Sequence, residues 1–138
     1  HASREELVRD SCRELLKMAT QRFEAADDAT PAERLRRLVL GRIPTTPEFA
    51  IGTSIWLAYE AKSVDDPVVA EMVQQGHAGG VQEATALLDE CGVADAPAVA
   101  LRLMALAEGL AIRVLVGGLG SRAAIDLLED LLAETLPG

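Results

Sequence analysis

Aromatic, cysteine and histidine residues are all scarce in this sequence. Aromatic residues make up 3% of 138 residues, whereas hydrophobic residues make up 49% and are mostly Ala, Leu and Val. This composition favours helices, because strands are richer in aromatic and β-branched residues. Cys12 and Cys91 match no metal or redox spacing, which fits a reducing cytoplasm. His1 and His77 are too few for a zinc site, so the sequence predicts no metal and no cofactor.

Positive charge is also in the minority. The formal net charge of −9 predicts repulsion from DNA phosphates and from anionic lipids. The longest apolar stretch is Pro97–Gly118, and no signal peptide or transmembrane run occurs. This stretch contains Arg102, Glu108 and Arg113, which are costly inside a membrane. We therefore expect a cytoplasmic protein without a membrane partner, in which Pro97–Gly118 is a helix surrounded by protein.

Helix-start and helix-stop signals predict six helices and no strand. Ser3 with Glu6 and Thr30 with Glu33 have capping-box spacing, and Ser121 is a candidate cap for the last helix. Proline follows Thr30, Thr46 and Asp66, where its missing amide does no harm. The predicted helices are Ser3–Ala26, a short one between Pro31 and Pro44, Pro47–Ser63, Pro67–Cys91, Pro97–Val116 and Arg122–Leu136.

Glycines interrupt the helix predicted at Pro67–Cys91. Gly76, Gly79 and Gly80 lie in its middle, and each is about 1 kcal/mol less favourable there than Ala. Their presence predicts either a bend or the close approach of another group. The predicted helix at Pro47–Ser63 carries the single charge Glu60 between Phe49 and Ala61, which predicts a central, nearly surrounded position.

Signatures of catalysis are missing. A di-iron bundle needs inward-facing Glu-x-x-His pairs, which do not occur. A phosphate-binding glycine loop needs a preceding strand, and the sequence predicts no strand. Glu108 with His77 is the one pair that could provide a perturbed titratable site. The protein is therefore not predicted to be an enzyme, and no catalytic residue is assigned.

The inward-facing side chains of the middle helices allow two interpretations. Phe49, Trp56, Tyr59, Met72 and Met104 form either an ordinary core or the lining of a pocket. Gln74, Gln75, His77 and Glu108 favour a pocket, because a buried Glu108 needs Arg102, Arg113 or a ligand as its partner. The basic group Arg34, Arg36, Arg37 and Arg42 is predicted as a solvated helix face, with contact to DNA or another domain as the alternative.

The last two predicted helices have more apolar surface than one bundle covers. Ala105 and Gly109 share a face and allow a second helix to approach closely. The surplus predicts that the hairpin pairs with its twin in a four-helix bundle across a two-fold axis. The alternative is a terminal helix buried within its own chain.

Four stretches carry a resemblance to a known family. His1–Leu7 is similar to the end of a motif that opens a connecting helix, and the Trp56 helix is followed by the break Asp65-Asp66-Pro67. Residues 106–113 (LAEGLAIR) and 127–132 (LLEDLL) are similar to a penultimate and a final dimerisation helix. Across essentially all 138 residues the chain resembles the C-terminal regulatory domain of TetR-family transcriptional repressors, in particular the BetI-like branch.

The resemblance implies a single ligand-binding and dimerisation domain, residues 1–138, whose N-terminal helix-turn-helix domain is absent. A small, mostly apolar effector would enter between Ser3–Ala26, Pro47–Ser63, Pro67–Cys91 and Pro97–Val116 and alter operator binding through the missing domain. The implied ligand residues are Trp56, Tyr59, Phe49, Met72, Gln75, Met104 and Glu108. The implied homodimer residues are Leu106, Leu110, Arg113, Ile125, Leu128 and Leu132. The alternative is a helical interaction module without a small-molecule ligand.

Overall fold

The computed structural model describes residues 3, 4, 6, 7, 9–11, 13, 14 and 29–137. Its described residues between 4 and 14 are helical and are called the N-terminal segment. The five helices that follow are α1 (Pro31–Leu40), α2 (Pro47–Lys62), α3 (Pro67–Glu90), α4 (Ala96–Leu115) and α5 (Ser121–Thr135). Within these ranges there is no strand, so the all-α prediction with six helical stretches is confirmed. Most of the predicted helix Ser3–Ala26 lies outside the described residues.

Most helices begin where side-chain caps satisfy the free amides of the first turn. At α1, Glu33 N donates to Thr30 Oγ1 and Thr30 N donates to Glu33 Oε2, at 3.2 and 3.3 Å. Thr46 and Asp66 cap α2 and α3 through their side chains. Ser3 and Glu6 form the same reciprocal pair in the N-terminal segment. These starting points confirm the capping-box predictions.

The starts of the last two helices differ from this scheme. The predicted Ser121 cap is wrong, because Gly120 is the N-cap and Ser121 is the first residue of α5. Asp95 precedes α4 in a left-handed conformation, with φ 55°, and makes no capping hydrogen bond. Gly92 and Gly117 follow the helix ends that the sequence predicts at Cys91 and Val116. They have φ of 79° and 85°, which glycine adopts without strain.

Helix α4 packs against all four other helices. The main core is made by apolar side chains of α1, α3, α4 and α5, and it includes Leu35, Leu38, Val39, Leu88, Leu103, Met104 and Leu128, none more than 2% exposed. A smaller apolar cluster, formed by Tyr59, Val69, Met72 and Val73 with Trp56 packed against it, lies between α2 and α3. Across the described part of the chain, no helix is long and apolar enough to cross a membrane.

Two helices are less enclosed in the single chain than predicted. Along α4, Leu101 and Ile112 are 59% and 42% exposed, so only one face of this helix is buried. Along α2, Tyr59 is the one buried side chain and Ile51 is 61% exposed. The apolar composition of these helices exceeds their burial within the single chain, so this chain alone does not provide the predicted surrounding protein.

Candidate functional site

Four charged or titratable side chains from four separate stretches meet between α2, α3 and α4. Nε2 of His77 lies 3.3 Å from Oε2 of Glu60, and Nη1 of Arg42 lies 3.9 Å from Oε1 of Glu108. Their side chains are between 27% and 39% exposed. Arg42 comes from the turn after α1, and the other three come from one helix each. We call this group the charged cluster.

Electrostatic effects within the charged cluster oppose one another. Burial raises the pKa of Glu60, and the Glu108 carboxylate raises it further, whereas His77 and Arg42 lower it. Burial lowers the pKa of Arg42, and the two carboxylates counteract that shift. Arginine stays protonated in proteins. Apart from His77, the charged cluster therefore sets two carboxylates against one guanidinium.

Gly80 makes room for Arg42 in the cluster. A Cβ on Gly80 would lie 2.7 Å from Nη2 of Arg42 and 3.3 Å from Cε of Met104. The neighbouring Gly79 has no atom within 4 Å of the same position. Close approach, which the glycines of this helix predict, is thus confirmed at Gly80, and the approaching group is a side chain. Helix α3 continues unbroken through both glycines.

Trp56 connects the charged cluster to the smaller apolar cluster. Its ring centroid is 6.1 Å from that of His77, and the planes are inclined by 75°, in an edge-to-face arrangement. The same indole packs against the group that contains Tyr59 and Met72. The arrangement therefore places aromatic and apolar side chains beside charged ones, and these are the types of side chain that line small-molecule sites.

The structure brings together some of the predicted ligand residues. Trp56, Tyr59 and Met72 share the smaller apolar cluster, and Glu108 belongs to the charged cluster. Met104 is 2% exposed in the main core. Phe49 is half-buried in the first turn of α2, and Gln75 is exposed on α3, so Gln75 is not brought to this group.

Sequence reasoning identified His77 and Glu108 as candidates and missed two members of the charged cluster, Glu60 and Arg42. The predicted partners of Glu108, Arg102 and Arg113, are exposed, and the described cation beside it is Arg42. Glu60 was notable only as the single charge between Phe49 and Ala61. A signal for it exists, because a single acid in an otherwise uncharged stretch of helix is costly to bury unless a partner or a ligand meets it.

The predicted dimer residues divide into two groups. Leu106 and Arg113 are exposed and Ile125 is partly exposed. Leu110, Leu128 and Leu132 are 7%, 0% and 4% exposed and pack in the core of their own chain, which leaves them little surface for a second copy. The exposed apolar face of α4 and α5 is instead formed by Leu101, Ala105, Leu106, Gly109, Ile112, Val116 and Leu127.

The basic group is not simply a solvated face. Arg34 Nη2 lies 3.5 Å from Glu83 Oε1, and Arg36 is paired with Glu129. These ion pairs connect α1 to α3 and to α5, and Arg42 belongs to the charged cluster. The side chains of Arg34 and Arg36 are 40% and 58% exposed and therefore remain on a solvated face, whereas Arg42 belongs to the charged cluster, which corrects the prediction for that residue.

An open groove of about 390 Å³ lies elsewhere, between α1 and α5. Its lining includes Arg36, Glu129 and Leu132 and none of the predicted ligand residues. The described residues contain no group of three or more His, Cys, Asp or Glu that could hold a metal. The charged cluster with Trp56 is therefore the better candidate site on chemical grounds, although much of the predicted cavity wall Ser3–Ala26 lies outside the described residues.

Comparison with known proteins identifies the architecture. Residues 31–137 match the family described as BetI-type transcriptional repressor, C-terminal. No curated protein matches the chain. A putative TetR-family transcriptional regulator from Rhodococcus sp. superposes with a TM-score of 0.83 at 21% identity, covering 98% of this chain and 76% of that one. A putative transcriptional regulator from Saccharomonospora viridis, in complex with choline, gives 0.82 at 28% identity, covering 96% and 72%. The chain thus belongs to the TetR family of transcriptional regulators, with a C-terminal domain of the BetI type.

Proposed function

We propose that this chain is the effector-sensing and dimerisation part of a TetR-family transcriptional regulator, and that its effector is a small organic cation with an apolar body. Binding of operator DNA would be the work of a separate N-terminal domain. The observation that carries the proposal is the charged cluster, whose carboxylates Glu60 and Glu108 lie close to His77 and Arg42 beside the indole of Trp56.

The chemistry of the site favours a cation over a neutral or anionic molecule. Glu60 and Glu108 supply two carboxylates against the one guanidinium of Arg42. An aromatic face attracts a cation through its quadrupole, most strongly for tryptophan, and Trp56 and Tyr59 lie in the adjoining wall. The choline bound to the Saccharomonospora viridis regulator is such a molecule, and this likeness supports the same class of ligand here.

Dimerisation is supported by the exposed face of α4 and α5. Leu101, Ile112 and Val116 are 59%, 42% and 73% exposed in the single chain. Gly109 lies on that face with no atom within 4 Å of its missing Cβ, so a second helix has room to approach. Large exposed apolar patches are rare on monomers, and TetR-family regulators act as dimers.

A route from the effector to the N-terminal segment exists in the described contacts. Arg9 of that segment contacts Asp66, and Asp66 caps α3, the helix that carries His77 and Met72. A shift of α3 on effector binding would therefore alter the position of the segment that precedes it in the chain. Such a shift couples two sites only if the effector prefers one arrangement over the other.

Binding of choline tests the proposal against its uncharged isostere, 3,3-dimethylbutan-1-ol. Trp56 is the only tryptophan, so its emission reports directly on the site, and thermal melting provides a second readout. We expect choline to change the emission and to raise the melting temperature. At a hundred times its Kd, bound choline increases the free energy of unfolding by about 2.7 kcal/mol. Equal binding of the isostere would contradict a cationic effector. A stable dimer that binds neither compound would favour an interaction module without a ligand.

A further inference from the structure

We infer that Arg42, admitted to the site by Gly80, is the residue that limits the effector to a single positive charge. This inference rests on the proposed function, since it concerns the selectivity of the same site. Arg42 faces the two carboxylates, but it is not one of the groups that attract the cation.

The position of Arg42 gives it this role. Its Nη1 lies 3.9 Å from Oε1 of Glu108, and it interacts electrostatically with Glu60. It thereby balances one of the two carboxylates from inside the protein. Glu60, which is also 3.3 Å from His77 Nε2, is the carboxylate that would meet the cationic group of the effector, whereas a second positive charge would meet the guanidinium.

The absence of a side chain at Gly80 is what permits this position. The Cβ of an alanine at Gly80 would overlap with Nη2 of Arg42 at 2.7 Å. The atom that must move is the far end of a long, flexible side chain, so the helix accepts the alanine and the guanidinium is displaced. Alanine also favours a helix interior over glycine, so the substitution does not unfold α3.

A matched control is the neighbouring glycine. A Cβ on Gly79 meets no atom within 4 Å, and Gly79 lies in the same helix. Gly79→Ala therefore reproduces the gain in helix propensity without moving Arg42. Arg42→Gln removes the charge directly and leaves Gly80 as it is.

The test measures the affinities of two probes for the wild type, Gly80→Ala, Gly79→Ala and Arg42→Gln by Trp56 fluorescence. The probes are tetramethylammonium, with one charge, and 1,2-bis(trimethylammonio)ethane, with two. The ratio of the two dissociation constants cancels differences in probe size between variants. We expect the ratio to shift towards the dication by at least about tenfold in Gly80→Ala and Arg42→Gln, because a removed charge a few ångströms away is worth that much even in a partly hydrated site. Gly79→Ala should leave the ratio unchanged.

The double variant Gly80→Ala/Arg42→Gln separates displacement of Arg42 from other effects of the alanine. Its ratio should equal that of Arg42→Gln, because a methyl group at position 80 has no guanidinium left to displace. Additive shifts would overturn the inference, and so would a Gly80→Ala protein with wild-type selectivity.

A second readout does not depend on any ligand. Arg42 lowers the pKa of Glu60, so NMR titration of the Glu60 carboxyl should show a higher pKa in Gly80→Ala and Arg42→Gln but not in Gly79→Ala. If neither probe binds any variant and this titration shifts as expected, the proposed function fails while the placement of Arg42 by Gly80 stands. If both probes bind the wild type and neither the selectivity nor the titration responds to Gly80→Ala, the role of Arg42 is wrong and the proposed function is unaffected.

Discussion

Oδ1 of Asp66 lies 3.6 Å from Nη2 of Arg9, and this contact connects the N-terminal segment to the start of α3. The same oxygen accepts hydrogen bonds from Val68 N and Val69 N, at 3.0 and 3.3 Å. One carboxylate thus caps the helix that carries His77 and also holds a neighbouring segment. Its two tasks can be separated by substitution.

Asp66→Asn should retain most of the cap and lose the ion pair, because asparagine caps helices as well as aspartate does. Asp66→Ala should lose both and give the lower melting temperature of the two.

The hydrogen bond from Val69, followed by those from Val68 and Arg9, holds the pKa of Asp66 below its usual value, against the effect of burial. The carboxylate therefore stabilises the fold above its unfolded-state pKa of about 3.9, and this contribution is lost as the pH falls through the lower folded-state pKa. Thermal melts from pH 2 to 7 test this, and a difference between wild type and Asp66→Asn that is independent of pH would contradict it.

Glu60→Gln should increase the stability of the chain at neutral pH while it weakens cation binding. Because burial raises the pKa of Glu60, the folded state binds the proton more tightly than the unfolded state does. The wild type therefore loses stability as the pH rises through the folded-state pKa, and Gln has no such titration. The advantage of the variant should grow as the pH rises from the unfolded-state pKa of about 4.3 through the raised folded-state pKa, and it should vanish at lower pH. Denaturant unfolding measures the change in stability, and choline titration measures the change in affinity. If the stability of the variant relative to wild type is lower at pH 7 than at pH 4, the raised pKa of Glu60 is wrong.

Ile112→Glu should dissociate the proposed dimer without unfolding the chain. Ile112 is 42% exposed on the apolar face of α4, so a charge there is tolerated by the monomer but is desolvated between two copies. We expect the dimer Kd to rise by at least about tenfold, measured by sedimentation equilibrium. Gln82→Glu introduces a carboxylate at an exposed position of α3 and is the control. An unchanged dimer in the Ile112 variant would place the interface elsewhere.

Leu128→Ala should act on folding rather than on association. Leu128 is fully buried in the core of its own chain, and truncation of a buried leucine costs about 2–5 kcal/mol. Urea unfolding should show this loss at protein concentrations where wild type and variant have the same oligomeric state. If the stability of the chain is retained and only the dimer Kd changes, Leu128 is an interface residue after all.

Local signals in the sequence were sufficient to predict the helices. Capping at Thr30, Thr46 and Asp66 and termination at Gly92 depend on residues within one turn of one another. The long apolar faces of α4 and α5 were also evident, but composition does not distinguish a side chain buried in its own chain, such as Leu128, from one left on the surface, such as Ile112. That distinction depends on which neighbour each face meets.

The site was predicted only in part for a related reason. Trp56, Tyr59 and Met72 were identified because large apolar residues on adjacent helices tend to share a core. The partner of Glu108 was not, since Arg42 is remote in sequence and follows a different helix. Arg102 and Arg113 were the cations nearest to Glu108 in sequence, but they are six and five residues away rather than three or four, and they lie on the exposed face of α4.

The charged cluster takes its members from the turn after α1 and from α2, α3 and α4. An effector held there would act as a non-covalent cross-link between four stretches of chain. It would thereby restrain the loops that join those stretches, including the one that contains Asp95. When the effector is bound, proteases should cleave these loops more slowly than in the free protein. The lifetime of the protein, as well as its conformation, would then depend on effector occupancy.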